Sequence, residues 1–183
     1  MKIETERLII RDLEEKDKVV LPGLIGDLEV SQFLAVVPYP YSQKDADWFV
    51  NNCQEEAKQN PRENYQMGIE LKSTGEFIGV VGLTDINEFN KKGTLGYWLG
   101  KKYWRQGIMY EAVQRLVKFA FKELDLQRID ITAFIGNDGS NALIKKLGST
   151  HEGVAKRYHR GKATGEFRDS NLYGLLKEDF KGL

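Results

Sequence analysis

The stretch Gly93-Thr-Leu-Gly-Tyr-Trp-Leu-Gly100-Lys-Lys-Tyr-Trp-Arg-Gln-Gly-Ile-Met-Tyr-Glu-Ala112 decides the fold. It passes from a strand, through a short basic and aromatic loop, into a long amphipathic helix. The loop ends at Arg105-Gln106-Gly107, where backbone N–H groups lie free at a helix N-terminus. Amides in that position have no intrahelical acceptor, and the helix dipole adds to their preference for negative charge. The segment therefore predicts a ligand that carries phosphates.

Working outward, the residues before it alternate with period two. Tyr65, Met67, Ile69 and Leu71 are separated by polar residues or glycine, as in a half-buried strand. Lys72-Ser-Thr-Gly75 is a turn, and Phe77-Ile-Gly-Val-Val-Gly-Leu83 is apolar enough to be buried on both faces. With the strand that begins at Gly93 they form an antiparallel meander. After the loop the period changes to that of a helix. Ile108, Ala112, Leu116 and Ala120, flanked by Val113, Phe119 and Leu124, make an apolar stripe ending near Leu124. Arg128–Phe134 is the next strand, Asn137 to Leu147 a short helix with Gly148 as its C′ residue, and Gly153–His159 and Phe167–Leu176 the last two strands, joined by a turn over Gly161–Gly165. Toward the N-terminus, Arg7–Arg11 reads as the first strand, with short helices over Glu14–Leu24 and Leu28–Leu34. Pro38 and Pro40 exclude regular helix from the following segment. Ser42 is then placed to N-cap a helix that carries Ala46, Phe49, Val50, Cys53 and Ala57, with Asp45 as its capping partner.

Composition narrows the classes. A chain of 183 residues is one domain's worth, large enough to bury about 70% of its unfolded surface. Lys and Arg number 27, as do Asp and Glu, so no global charge recruits nucleic acid or a membrane surface. A single cysteine, Cys53, rules out an internal disulfide framework and fits a reducing compartment. The N-terminus shows no apolar signal region and no apolar run approaches about 18 residues, so a cytoplasmic setting is expected. No His/Cys cluster suggests a metal, and neither a P-loop nor a G-x-G-x-x-G fingerprint occurs.

The order of elements, with the blocks Leu95-Gly-Tyr-Trp-Leu99, Trp104-Arg-Gln-Gly-Ile-Met-Tyr-Glu-Ala112, Asn137-Asp-Gly-Ser-Asn141 and Lys146-Leu-Gly148, resembles the GCN5-related N-acetyltransferases (GNAT), in particular the RimJ/RimL-like branch. The resemblance covers nearly the whole chain, so residues 1–183 are expected to form a single acetyl-CoA-dependent N-acetyltransferase domain. It implies an α/β (α+β) fold, with a mixed, mostly antiparallel sheet of about seven strands and about four flanking helices. The sheet splays between its fourth and fifth strands, and acetyl-CoA lies in that opening. The family's pyrophosphate loop, Gln/Arg-x-x-Gly-x-Gly/Ala, falls on Trp104–Met109; Gly107 is kept while Trp104 and Met109 depart from the pattern. By the same resemblance the cofactor site comprises Trp98, Leu99, Gly100, Arg105, Gln106, Gly107, Ile108, Met109, Tyr110, Asn137, Ser140 and Asn141. Lys101 and Lys102 are candidates for added positive charge near the phosphates.

Two residues are candidates for the chemistry. In this branch a Ser at the position of Ser140 has been proposed to donate to the CoA sulfur as the thioester breaks. A thiolate leaving group, with a parent thiol near pKa 8.5, is helped by one hydrogen bond. His159, near the end of the sixth predicted strand, would be neutral enough at about pH 7 to take a proton; Glu152, Glu166, Asp85, Glu70 or a water chain are the alternatives. Cys53 lies remote from the cofactor blocks, so direct transfer in a ternary complex is expected, with a backbone N–H of the fourth strand holding the thioester oxygen. The acceptor must be a neutral amine. An α-amine, with a pKa of about 7.7–8.0, needs little help from a base, whereas a lysine amine near 10.4 is only about 0.1% neutral. The resemblance favours the N-terminal α-amine of a protein of the ribosomal type. A small amine (polyamine, antibiotic or amino-acid derivative) and a non-catalytic acyl-CoA-binding protein are the alternatives. The acceptor groove is expected between Ser31–Tyr41 and Tyr158–Arg168, with Phe33, Tyr39, Tyr41 and Tyr158 as an aromatic wall. Family members often pair through exposed edges, which makes a homodimer an expectation.

Overall fold

The computed structural model describes residues 1–182. One sheet of eight strands runs through it in the order β1-β2-β3-β4-β5-β6-β8-β7. The strands are β1 (Lys2–Glu4), β2 (Leu8–Asp12), β3 (Tyr65–Leu71), β4 (Phe77–Asn87), β5 (Lys92–Leu99), β6 (Arg128–Phe134), β7 (Thr150–Arg160) and β8 (Phe167–Leu176). The helices are α1 (Asp17–Ile25), α2 (Leu28–Ser31), α3 (Gln43–Ala57), α4 (Ile108–Lys122) and α5 (Asp138–Lys146). Every pairing is antiparallel except β5 with β6. That parallel pair requires a crossover, and α4 supplies it.

The expected order of elements is present, with one strand and one helix more than about seven and about four. The added strand is β1, three residues paired with β2 through Ile3 and Ile10. So short a strand holds a single buried residue, too little for a period to be seen. The structure also extends β4 four residues past Leu83, where its burial pattern becomes that of an edge exposed to solvent.

The sheet carries apolar side chains on both faces. The α4 stripe (Ile108, Ala112, Leu116 and Ala120) packs with Val81, Leu95, Ile129 and Ile131 in the larger cluster. On the other face Leu21, Val50 and Cys53 pack with Phe77, Val80 and Trp98. Ser42 caps α3 in a reciprocal box: the amide of Asp45 donates to Ser42 Oγ at 3.3 Å, and the Ser42 amide donates to the Asp45 carboxylate at 2.8 Å. Arg11 fastens α1 to the sheet. Its buried guanidinium donates to both Asp17 oxygens (2.8 and 2.9 Å) and to Glu70 at 3.0 Å, and the bond to Asp17 drives its pKa above the usual guanidinium range. Among the described residues no helix is long and apolar enough to cross a membrane.

The sheet opens at one place. β5 and β6 pair from Lys92↔Arg128 to Leu95↔Ile131 and no further. β5 meanwhile stays with β4 as far as Gly79↔Leu99, and β6 stays with β8 as far as Phe134↔Ser170. Residues 96–99 and 132–134 therefore face each other across a gap.

Candidate active site

The gap is a cleft of about 1110 Å³. One wall is the free edge of β5. Gly100 donates its amide to Ile78 of β4 at 2.9 Å. Because hydrogen bonding alternates along an antiparallel pair, the backbone groups of Tyr97 and Leu99 point the other way, into the cleft. The Leu99 carbonyl accepts from the Trp104 indole at 2.7 Å, in keeping with that direction. Trp104, off the family pattern, thus satisfies a carbonyl that the splay has stripped of its strand partner.

The loop below this edge is built to leave amides free. Arg105 and Gly107 both have left-handed backbones, φ +60° and +73°. Alternation into the left-handed region turns successive N–H groups toward one concavity, a geometry that accepts anions. Gly107 is the N-cap of α4 and offers no side chain to its first turn. The first helical bond runs from Glu111 to Gly107 at 3.1 Å, and the amides of residues 105–110 have no acceptor among the described residues. A brace that sequence reasoning missed holds the loop in place. Arg7 donates to the Gln106 carbonyl at 3.0 Å and, through Nε, to Glu111 at 2.6 Å, and its own amide donates to Glu111 at 3.0 Å. Partial burial raises the Glu111 pKa, but hydrogen bonds from Thr5 and Arg7 outweigh this and hold it below the usual carboxylate range. Separated by 104 positions, the pair left no local signal.

The opposite wall is the end of β6 and the start of α5. Asn137 caps α5, its Oδ1 accepting from the Ser140 amide at 3.2 Å. Ser140 Oγ is left to meet the Tyr97 hydroxyl across the cleft at 2.8 Å. Burial pushes the Tyr97 phenol up to about 12, against the opposing pull of the Ser140 hydrogen bond. Tyr97 is therefore a neutral donor at physiological pH and no base. Consecutive on β5, Tyr97 and Trp98 take opposite faces of the sheet, and Trp98, while lining the cleft, packs with Phe77 in the smaller core.

Of the expected cofactor residues, Trp98, Leu99, Arg105, Gln106, Gly107, Ile108, Met109, Tyr110, Asn137 and Ser140 line this one cleft. Gly100 and Asn141 stand outside the lining. Gly100 is packed against Leu24, whose Cδ2 would lie 2.8 Å from an added Cβ. Asn141 spends its amide inside the protein, donating to Phe134 and Asn137 carbonyls and accepting from Asn171 and Tyr173. Lys101 and Lys102 turn away to Glu29 and Glu76. Lys146 lines the cleft, its ammonium 4.1 Å from the centre of the Tyr110 ring.

At the far end His159 lines the cleft, edge-on to Phe134 and Tyr158. Among the five side chains considered as bases it alone does so. Glu152 is held by Arg128 at 2.6 and 2.7 Å, Glu70 by Arg11, and Asp85 and Glu166 are exposed. Phe33 and Tyr41 join the lining while Tyr39 and Tyr158 point to solvent. The hairpin and the segment after α2 do meet, the Lys162 amide donating to the Ala35 carbonyl at 3.0 Å. Cys53 is buried in the smaller core, and burial pushes its thiol up to about 12, which makes it a packing group and no nucleophile.

An open sheet splayed beside a loop of free amides is a site for an extended ligand that carries phosphates, as the resemblance to the GNAT acetyltransferases implies. The chain belongs to the GNAT acetyltransferases: the family described as "Acetyltransferase (GNAT) domain" matches residues 7–150. It is 33% identical over 180 residues, 97% of each chain, to an uncharacterized N-acetyltransferase, p20, of Bacillus licheniformis. It is 32% identical over 101 residues, 55% of each chain, to the ribosomal-protein-serine acetyltransferase of Escherichia coli (strain K12). The fold superimposes with a TM-score of 0.80 on spermidine N-acetyltransferase from Vibrio cholerae, solved with CoA and spermine, at 18% identity and covering 96% of this chain and 98% of that one. The protein is thus an acetyltransferase, of a family that uses acetyl-CoA.

Proposed function

We propose that this acetyltransferase moves the acetyl group of acetyl-CoA directly to the N-terminal α-amine of a protein. The observation that carries the donor side is the run of acceptor-free amides at residues 105–110, opening onto the unpaired edge of β5. These amides hold the diphosphate, with Arg105 and Lys146 adding charge. The backbone groups of Tyr97 and Leu99 bond the amide-bearing arm as a further strand would, and one of their N–H groups holds the thioester oxygen. The donor supplies an activated thioester; the rest is positioning and proton handling by the chain.

The Tyr97–Ser140 pair is placed to donate to the leaving sulfur. A thiol titrates near ~8.5 and the phenol at about 12, so outright proton transfer from Tyr97 runs uphill by roughly 5 kcal/mol. The pair acts by hydrogen bonding, and the proton that the sulfur finally takes comes from the amine by way of solvent. His159 accepts the proton the attacking amine must lose, a modest task for an α-amine with a pKa near ~8.

The acceptor end supports a peptide over a polyamine. Among the described residues two carboxylates line the cleft, Asp45 and Asp138, and hydrogen bonds from Ser42 already hold the Asp45 pKa down. A polycation would meet little compensating charge there, whereas Phe33, Leu34, Val37, Trp48 and Phe49 suit an apolar chain segment. The test is to incubate the protein with acetyl-CoA and a panel of peptides and small amines while following CoA release. Turnover of peptides with free N-termini, lost when the same peptides are N-blocked, is expected. Turnover of spermidine with no peptide acetylated would replace this reading with the small-amine one.

A further inference from the structure

Arg168 of β8 is three-quarters buried, with 23% of its side chain exposed. Its guanidinium lies near two aromatic rings that line the cleft, 6.0 Å from the centre of Phe33 and 5.7 Å from that of Phe134. Among the described residues the guanidinium makes no hydrogen bond. Its ionic neighbour is Glu166 at 3.6 Å, itself 69% exposed. Arg11 and Arg62, more deeply buried, and Arg128, more exposed, each spend theirs on carboxylates at 2.6–2.8 Å. A guanidinium carries five N–H donors in a fixed fork matched to a carboxylate. Without a protein hydrogen bond, these donors are left to water or to a ligand carboxylate.

The surroundings indicate which ligand. Phe134 pairs with Ser170 and His159 with Arg168 across the sheet, so these four side chains share one face. Ser170 Oγ, fully buried, has no partner among the described residues either. Lys162, from the same hairpin, lines the cleft with Phe33, Phe134, His159 and Ser170; Arg168 is not itself a lining residue and lies against two that are. The acceptor end thus combines cations and an unused hydroxyl around the histidine that would deprotonate the amine.

We propose that Arg168 is a specificity-determining residue that binds a carboxylate on the acceptor, so that the substrate is an α-amine with an acidic group close by. This rests on the acceptor-site reading above. The carboxylate has two chemical sources, an acidic side chain at the second or third position of a peptide or the α-carboxylate of a free amino acid. The test compares hexapeptides with Asp, Ala or Lys at those positions, alongside free amino acids, with the native protein and with Arg168→Ala, Arg168→Lys and Arg168→Glu. A charge-assisted bidentate contact predicts a KM about tenfold or more lower for the Asp peptide than for the Ala peptide. Arg168→Ala should erase that advantage, so that the Asp and Ala peptides share one KM, Arg168→Lys should restore part of it, and Arg168→Glu should shift preference to the Lys peptide. If the free amino acids alone show the effect, the α-carboxylate is the source. Equal KM values for the three peptides and no turnover of amino acids, or an equal loss for all acceptors in Arg168→Ala, would overturn the proposal. Calorimetric titration of the CoA-loaded protein with the N-acetylated peptides reads the contact without turnover. Tighter binding of the Asp form, lost in Arg168→Ala, with no peptide acetylated would leave the carboxylate site standing and defeat only transfer to N-termini. Equal binding of all three forms, with no effect of amino acids, would defeat the carboxylate site itself.

Discussion

Replacing Gly107 by Asp tests the phosphate cradle, and Gly107→Ala supplies its control. The backbone there has φ +73°, and an added Cβ meets nothing nearer than Arg7 Nη2 at 3.6 Å. Alanine therefore clashes with nothing and loses only the left-handed strain of an L-residue, about 1 kcal/mol of stability. Aspartate tolerates the left-handed region better than most side chains, so it costs no more fold stability than Ala. What it adds is a charge inside the cradle. At a separation of about 5 Å and an effective dielectric of about 20, one negative charge repels another by about 3 kcal/mol. Pairing of the new carboxylate with Arg7 offsets part of this, leaving roughly 2 kcal/mol, or about a 30-fold rise in the acetyl-CoA KM. Gly107→Ala should stay within about threefold of the native value. Both constants come from CoA release at saturating acceptor, with melting temperatures to show that both variants fold. An Asp variant kinetically equal to the Ala variant would refute the placement of phosphate at this loop, and an Ala variant as impaired as Asp would show that shape, not charge, is at stake.

Ser140→Ala and Tyr97→Phe should each lower kcat about tenfold with KM nearly unchanged, since each removes one donor from the leaving group. The cap of α5 survives in the first because Asn137 bonds the Ser140 amide and not its hydroxyl; a double variant worse by the product of the two would show that they do not act as a pair. Arg11→Ala strands Asp17, 1% exposed, without its cation, and should cost about 3–5 kcal/mol in denaturant unfolding; a loss below about 1 kcal/mol would refute that account of α1. The Glu111 brace gives an acid limb. The folded pKa is lowered, so the folded state binds this proton more weakly than the unfolded chain, and the stabilisation is full above the unfolded value near 4.5 and lost as pH falls through the folded value beneath it. Glu111→Gln should flatten unfolding stability over that window, and an unchanged acid limb would show that Glu111 contributes nothing there.

Much of the fold was legible. The meander, the α4 stripe, the Ser42–Asp45 capping box and the Gly148 stop all depend on residues a few positions apart. The free amides of the proposed donor site were legible for the same reason, because they belong to a contiguous segment. Glu152 and Glu70 looked like bases until the structure gave each an arginine, and Asn141 looked like a ligand contact until its amide proved to be internally bonded. These reversals share a cause: a polar side chain's task depends on partners that the sequence places far away.

Periodicity, caps and glycine positions, acting over one or two turns of chain, suffice to place seven of the eight strands, the helices and the free amides around Arg105–Gly107. Tertiary structure alone decided the rest. Tyr97 meets Ser140 across 43 positions, Arg7 meets Glu111 across 104, and Arg168 comes to lie near Phe33 and Phe134 with its donors unspent. The physical reason is that period and propensity report which face a residue takes, while a hydrogen-bond partner is set by the register of distant strands and by where the sheet stops pairing.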